Sequence, residues 1–260
     1  MPTALIVEDE PDANSLLSML VRMRGYHTES ALGGIEALDR LGSGRPDVVL
    51  LDLMLPDLSG FEVCQAIKAA RETTLIPVIV VSAARVEENE ARSYAAGAND
   101  FVPKPYTPDQ VFRALAAADA WRQDVGRRPA EGRFAFDLRD PLEPLRELSR
   151  LRSLLRAWTP LGDEALCGIT SALRDLWSSA SSWGRQHEAE PGPIATVSYR
   201  LERSRVVVSV EDRSGWLSQD PIPPCSGLDR FEPRHDGGRL ELICHHSSPL
   251  PDDSDTDDAH

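Results

Sequence analysis

The chain has 260 residues, of which 41% are hydrophobic, so it is long enough to form one or two domains with apolar cores. Its 42 acidic residues outnumber 28 basic ones, and the resulting net charge of −14 argues against sequence-independent binding to nucleic acid. Four cysteines without paired spacing indicate free thiols in a reducing compartment. With no secretory signal or long apolar segment in view, we expect a cytoplasmic protein that does not associate with a membrane.

The first half of the chain alternates short apolar runs with amphipathic segments, which is typical of a doubly wound α/β sheet. Helices are expected over residues 12–24, 34–42, 59–70, 87–96 and 108–122. Continuous runs of β-branched and leucine residues predict strands that are buried on both faces. These runs are Ala4–Val7, Val48–Leu51, Ile76–Val81 and Phe101–Pro103.

Each of these four strands is followed by a residue with a reactive or charged side chain. Glu8 and Asp9 follow the first strand, and Asp52, Ser82 and Lys104 end the other three. The carboxyl ends of parallel strands meet at one rim of an open sheet, which is where such folds place their sites. We therefore expect three acids, one hydroxyl and one ammonium group to lie close together.

This combination of groups suits phosphoryl chemistry. Clustered carboxylates repel one another unless a cation neutralises them, and Mg²⁺ prefers oxygen ligands and often binds phosphate as well. Asp52 would then be a nucleophile towards phosphorus, while Lys104 and Ser82 would bind the phosphoryl oxygens. The chain has only two lysines, the other being Lys68, against 26 arginines, so a compact ammonium is favoured at position 104.

Residues 2–122 resemble the receiver domain of two-component response regulators. The matching motifs span the whole domain, and they are Leu5–Pro11, Asp47–Gly60, Val80–Ala83, Gly97–Phe101 and Lys104–Tyr106. The resemblance implies a flavodoxin-like fold with a five-stranded parallel sheet. It also implies that a sensor histidine kinase or a phosphotransfer protein donates the phosphoryl group.

The resemblance assigns a role to each residue of the rim. Asp52 is implied to be the phosphoacceptor, and Glu8 and Asp9 the acidic pocket. The implied Mg²⁺ ligands are Asp9, Asp52 and the backbone carbonyl of Met54. Ser82 corresponds to the switch hydroxyl and Phe101 to the switch aromatic residue. The Lys104–Pro105 peptide bond is expected to be cis, which an X–Pro bond allows.

The second half of the chain is separated from the first by a polar stretch with Gly and Pro, residues 124–133, which we interpret as a linker. A strand at residues 134–138, helices at 142–158 and about 163–183, and a hairpin of 194–201 with 206–210 are expected. The chain then looks irregular up to Gly237 and Gly238, and an apolar stretch, Leu240–Cys244, follows. The arginines of the first helix, at 146, 150, 152 and 156, are interpreted as its polar face.

The order of these elements is similar to the ATP-binding fold of histidine kinases and anti-sigma serine kinases, an α/β sandwich. Asp175 and Ser179 stand where that family has a Glu and a Mg²⁺-binding Asn, and Asp212 corresponds to the adenine-binding Asp. The glycine loop is reduced to Gly237 and Gly238. We therefore expect a degenerate domain without enzymatic activity. The expected domains are a receiver at 1–123, an output domain at 134–248 and a disordered acidic tail at 249–260.

Three functions are compatible with a receiver domain followed by a degenerate kinase-like domain. The favoured function is a switch gated by phosphorylation, in which the second domain binds a protein partner. We expect no nucleic acid or membrane among its partners, and a homodimer is compatible with this function. The alternatives are a receiver-controlled ATP-dependent protein kinase and a phosphotransfer protein that uses His187. A metal site formed by Cys225, His235, Cys244, His245 and His246 matches no compact zinc spacing.

Overall fold

The structure is a computed structural model that describes residues 1–83, 86–126, 130–137, 140, 142–187, 194–212, 217, 232–236 and 238–246. The chain divides into two compact units. The first consists of Met1–Arg127 together with Ser149–Ala157, and the second of Arg128–Leu148 and Trp158–His260. None of the helices in the described part of the chain combines the length and apolar character that crossing a bilayer requires.

The first unit contains five strands that alternate with five helices. In chain order they are β1 (Thr3–Val7), α1 (Pro11–Met23), β2 (His27–Ala31), α2 (Gly34–Ser43), β3 (Val48–Leu51), α3 (Gly60–Ala69), β4 (Val78–Ser82), α4 (Val86–Ala96), β5 (Asp100–Pro103) and α5 (Pro108–Gly126). All strand pairs are parallel, in the order β2-β1-β3-β4-β5. The predicted doubly wound parallel sheet is therefore confirmed.

The position of β3 in the middle of the sheet explains its unbroken apolar sequence. It pairs with β1 on one side and β4 on the other, and all four of its side chains are at most 1% exposed. One of the two faces packs against α1 and α5, where Leu17, Val21 and Leu115 join Ile6 and Leu50 in a single core. A strand enclosed in this way delivers the residue that follows it, Asp52, to a fixed point of the rim.

At the other end of the sheet, a buried lysine links three segments of the first unit. Lys68 Nζ donates hydrogen bonds to the carbonyl oxygens of Thr74 (3.0 Å) and Ile76 (2.7 Å) and to Asn99 Oδ1 (2.8 Å). The same Asn99 oxygen accepts a hydrogen bond from the Val78 amide at 3.0 Å. Burial of the ammonium group lowers the pKa of Lys68 to about 7. The start of β4, the end of α3 and the loop before β5 are thus joined through one side chain.

A helix and a strand extend into the two ends of the segment that was expected to be a linker, residues 124–133. Helix α5 continues through Gly126, because Val125 is buried and extends the apolar side of the helix. Strand β6 begins at Glu131, which pairs with Arg200. Residues 127–129 lie outside the described part of the chain.

The second unit is built on an antiparallel sheet. Its elements are β6 (Glu131–Asp137), α6 (Glu143–Trp158), α7 (Asp163–His187), β7 (Ile194–Glu202), β8 (Arg205–Asp212), β9 (Glu232–Asp236) and β10 (Arg239–His245), and residues 149–157 of α6 belong to the first unit. The strand order is β6-β7-β8-β10-β9. The predicted hairpin of β7 and β8 is confirmed, with Glu202 opposite Arg205 across the turn.

The expectation of irregular chain up to Gly238 is wrong for residues 232–236. Strand β9 pairs with β10 in antiparallel register, and Gly238 in the turn between them has a φ of 102°. The sequence of β9, Glu-Pro-Arg-His-Asp, has no apolar alternation because β9 is an edge strand, where a proline and charged side chains are tolerated. Its pairing with β10 therefore left no hydrophobic signal in the sequence.

Candidate functional site

The first unit brings the predicted residues of the rim together through its backbone. Asp52 follows β3, and its amide donates to the carbonyl of Val7 at 2.9 Å, so the ladder between β3 and β1 continues past the end of the strand. The Lys104 amide donates in the same way to the carbonyl of Ser82 at 2.8 Å. The main chain thus fixes the Cα positions of the acid and the lysine, and their side chains meet above the sheet.

Three carboxylates form the acidic part of the site. Glu8, Asp9 and Asp52 each place an oxygen within 4.8 Å of the others. Glu8 and Asp52 are buried, at 2% and 7% exposure, whereas Asp9 is exposed. An arrangement of three carboxylates with one open side suits a hard divalent cation that keeps part of its water shell, as Mg²⁺ does. Among the described residues, Glu8, Asp9 and Asp52 are the set of acidic, histidine or cysteine side chains that lie close enough together to hold a metal ion.

Lys104 lies between the two buried carboxylates. Its Nζ is 2.6 Å from Glu8 Oε2 and 2.6 Å from Asp52 Oδ2. Burial raises the pKa of Glu8, the hydrogen bond from Lys104 opposes this shift, and the charges of Asp52 and Asp9 add to it. Burial would lower the pKa of Lys104, but its hydrogen bonds to Asp52 and Glu8 outweigh that effect and the pKa is raised. Lys104 is therefore a stable cation at the site.

The side chain of Ser82 is fully buried at the end of β4, and its Oγ has no hydrogen-bond partner within the described structure. Burying a hydroxyl without a hydrogen-bond partner costs free energy, and this hydroxyl is available to donate to an incoming oxygen atom.

The remaining predicted residues also lie near this rim. Phe101 is buried on β5, the neighbouring strand. The Met54 side chain is 70% exposed, and the Met54 amide donates to Asp52 Oδ1 at 3.2 Å. The Lys104–Pro105 bond is cis.

Two residues without a predicted role, Gly60 and Asp57, fix the loop that follows Asp52. A Cβ atom added to Gly60 would overlap the carbonyl oxygen of Asp52 and lie 2.7 Å from Leu53 Cα, so only glycine fits there. Asp57 accepts hydrogen bonds from the amides of Gly34 (2.7 Å) and Ile35 (2.9 Å), the first residues of α2. These bonds lower the pKa of Asp57. Their only sequence signal was the pattern Pro-Asp-Leu-Ser-Gly.

The residues predicted from the kinase-like resemblance do not form a described site. Asp212 is the last residue of β8 and Ser179 belongs to α7, but both side chains lie outside the described part of the structure. The same holds for the side chains of His187 and His235, and for Cys225, Gly237 and the tail at 249–260. Cys244 is buried in β10.

The fold and the site together define a receiver domain. Residues 4–116 match the family described as the response regulator receiver domain. This part of the chain is therefore the receiver domain of a two-component response regulator, and the resemblance seen in the sequence is confirmed for it.

Two curated relatives illustrate the match. The chain is 32% identical over 117 residues to the "DNA-binding dual master transcriptional regulator RpaA" of Synechocystis. The aligned region covers 45% of this chain and 48% of that protein. It is 37% identical over 117 residues to the "Phosphate regulon transcriptional regulatory protein PhoB" of Rhizobium meliloti, covering 45% and 52%. The chain thus matches about half the length of these relatives.

Among solved structures, a putative response regulator from Chloroflexus aurantiacus is 29% identical, with a TM-score of 0.44, and covers 46% of this chain and 99% of its own.

Proposed function

We propose that this chain is a response regulator that accepts a phosphoryl group on Asp52 from a sensor histidine kinase or a phosphotransfer protein. The observation that carries the proposal is the contact of one ammonium group, Lys104, with both buried carboxylates, Glu8 and Asp52, at 2.6 Å each. A nucleophilic carboxylate beside an acidic pocket and a cation is the arrangement that phosphoryl transfer to an aspartate requires.

The chemistry assigns one role to each residue. An Asp52 carboxylate oxygen attacks phosphorus, the P–N bond of a donor phosphohistidine breaks, and its electron pair remains on the imidazole nitrogen. Lys104 keeps its positive charge and compensates the phosphoryl oxygens, and Ser82 Oγ donates a hydrogen bond to one of them. Mg²⁺ would be held by Asp9, Asp52 and the Met54 carbonyl, with Glu8 beside them, and would supply further positive charge to the phosphoryl group.

The direct test is phosphorylation of the purified full chain with acetyl phosphate and Mg²⁺, followed by intact mass spectrometry. We expect a gain of one phosphoryl group that is lost on mild alkaline treatment, as an acyl phosphate should be. A chain that gains no mass under conditions where a known receiver domain is labelled would contradict the proposed function.

A first prediction concerns the metal requirement. Asp9→Ala should weaken Mg²⁺ binding and slow phosphorylation by about 10- to 100-fold, because it removes the exposed one of the two carboxylates that are proposed as ligands. Because burial raises the pKa of Glu8, Mg²⁺ affinity should also fall as the pH is lowered, since this carboxyl is protonated at a higher pH than usual. Mg²⁺ titration followed by calorimetry and the initial rate of mass gain measure both effects.

The control for this prediction is Asp39→Ala, which removes an exposed carboxylate of α2 outside the acidic group. It should leave the rate and the Mg²⁺ affinity unchanged. Full-rate phosphorylation of the wild-type chain in excess chelator would rule out the metal site.

For the rest of the chain we propose an output part that binds a protein partner in the cytoplasm and is not an enzyme. The net charge of −14 supports a partner other than nucleic acid. The names of the relatives show that other proteins with such receivers regulate transcription, and one is named as DNA-binding. Retention of the full chain on non-specific DNA at physiological salt would favour that kind of output instead.

A second prediction separates this proposal from a receiver-controlled protein kinase. The full chain should bind Mg·ATP poorly, because Ser179 stands in place of the expected Asn and few glycines remain for a phosphate loop. Calorimetric titration should therefore give no saturation at micromolar ATP. Saturable binding with a dissociation constant in the low micromolar range would favour the kinase function.

A further inference from the structure

Nine residues of helix α6, Ser149–Ala157, belong to the receiver unit although they follow it by more than twenty residues along the chain. We call them the α6 segment. Ser149 Oγ donates a hydrogen bond to the carbonyl of Ala98 at 2.8 Å, and Arg156 Nη1 donates to the carbonyl of Ala69 at 3.1 Å. The guanidinium carbon of Arg150 is 5.9 Å from the centre of the Trp121 ring. The polar side chains of α6 thus contact the receiver unit.

The acceptors for the α6 segment lie where two receiver helices end. Ala69 is the last residue of α3, so its carbonyl has no partner within that helix. Ala98 lies two residues after the end of α4. The C-terminal ends of helices carry partial negative charge, which favours a nearby arginine. Ser149 and Arg156 are seven residues apart and therefore lie on one face of α6.

The loop between α4 and β5 fits closely against the α6 segment. Gly97 has a φ of 116°, and a Cβ atom added to it would lie 2.6 Å from Lys68 Cγ and 2.9 Å from Arg152 Nη2. A side chain at position 97 would therefore overlap Lys68 and come close to the guanidinium group of Arg152. Ala69, Gly97, Ala98 and Trp121 thus form a receiver surface that contacts Ser149 and three arginines of α6.

The same loop is connected to the phosphorylation site through two strands. Asn99 directly precedes β5, and its Oδ1 accepts a hydrogen bond from the first amide of β4, that of Val78. At its other end β4 carries Ser82, and β5 carries Phe101 two residues after Asn99. A change in Ser82 and Phe101 on phosphorylation therefore acts on the strands that hold the loop.

We propose that the α6 segment is an intramolecular ligand of this receiver surface and that phosphorylation of Asp52 weakens its docking. The inference rests on the proposed function of Asp52. Ser82 Oγ has no partner in the described structure, so it can move towards a phosphoryl group on Asp52, and the loop that contacts the segment is held by the strand that Ser82 ends. Because the residues that flank the segment along the chain belong to the second unit, its release is a route from phosphorylation to output.

Hydrogen–deuterium exchange of the full chain, with and without acetyl phosphate and Mg²⁺, tests this proposal. Intact mass spectrometry of the same samples gives the phosphorylated fraction. Phosphorylation should speed amide exchange in residues 149–157 on the order of tenfold, the size of a typical coupling between two sites. The Asp52→Asn variant should show no change under the same treatment.

Variants of the contact surface provide the second arm. Ser149→Ala combined with Arg156→Ala should speed exchange of the segment without phosphorylation, whereas Arg146→Ala should not, because Arg146 pairs with Glu143 and Glu147 of its own helix. Phosphorylated chain with unchanged or slower exchange in residues 149–157 would overturn the inference and leave the proposed function standing. Absence of any mass gain would overturn the proposed function, and this inference with it.

Discussion

The Asp52→Asn variant is expected to gain no phosphoryl group from acetyl phosphate while its fold is retained. The amide has nearly the same shape as the carboxylate, and its oxygen can still accept the hydrogen bond from the Met54 amide. It lacks the negative charge and the nucleophilic oxygen that an aspartyl phosphate requires. Lys104 keeps its second contact, with Glu8, so the ammonium group still has a carboxylate partner. Intact mass spectrometry measures the labelling, and circular dichroism checks the fold.

Asp57→Asn is the matched control, because it removes a carboxylate of the same loop that faces the start of α2 and not the acidic group. Its labelling should stay close to that of the wild-type chain. Undiminished labelling of Asp52→Asn would show that the acceptor is another residue.

The second large effect is expected for stability. Lys68→Met should lower the free energy of unfolding by about 2–5 kcal/mol, because the carbonyls of Thr74 and Ile76 lose their donor in a buried environment. Asn99 Oδ1 keeps the hydrogen bond from the Val78 amide, so its loss is smaller. Methionine has a similar length and fills most of the space. Urea denaturation followed by circular dichroism gives the difference.

The effect of Lys68 should depend on pH in a defined direction. Its pKa is about 7 in the folded chain and near the ordinary lysine value of 10.5 when unfolded, so the unfolded chain binds more protons between these values. The contribution of Lys68 to stability should therefore increase as the pH rises from about 7 to 10.5. The stability lost in Lys68→Met should grow over the same window. A loss below about 1 kcal/mol at every pH, no larger than that of the exposed Arg113→Met control, would show that the three hydrogen bonds are dispensable.

The residues of the site that could be predicted from the sequence follow strands with continuous apolar runs. Strands β3 and β4 are buried on both faces, so their sequences are apolar without interruption and the polar residues that end them, Asp52 and Ser82, stand out. The edge strand β2, His-Thr-Glu-Ser-Ala, has no such run because one of its sides lacks a neighbouring strand. The apolar runs therefore located the central strands and the edge strand β5, but they did not locate the edge strand β2.

The residues that could not be predicted act through contacts between distant segments. The sequence shows Lys68 as a charged residue on a helix, yet it is buried because three acceptors from two loops surround it. The arginines of α6 were interpreted as its polar face, and nothing in the sequence indicated that Arg156 on that face contacts the end of α3. Helical periodicity gives the spacing of these side chains, and only the tertiary fold determines which partner each one meets.

The two lysines of the chain also have a consequence for chemical labelling. Lys68 is 4% exposed, whereas the Lys104 side chain is 19% exposed at the rim of the acidic pocket. Lys104 is therefore the more exposed of the two lysine side chains, and it adjoins the acceptor, but its raised pKa keeps it protonated, so reagents directed at amines need alkaline pH to modify it. After the terminal amine has been blocked, covalent modification of the folded protein becomes a readout of that pocket, and protection of Lys104 from the reagent reports that a ligand occupies it.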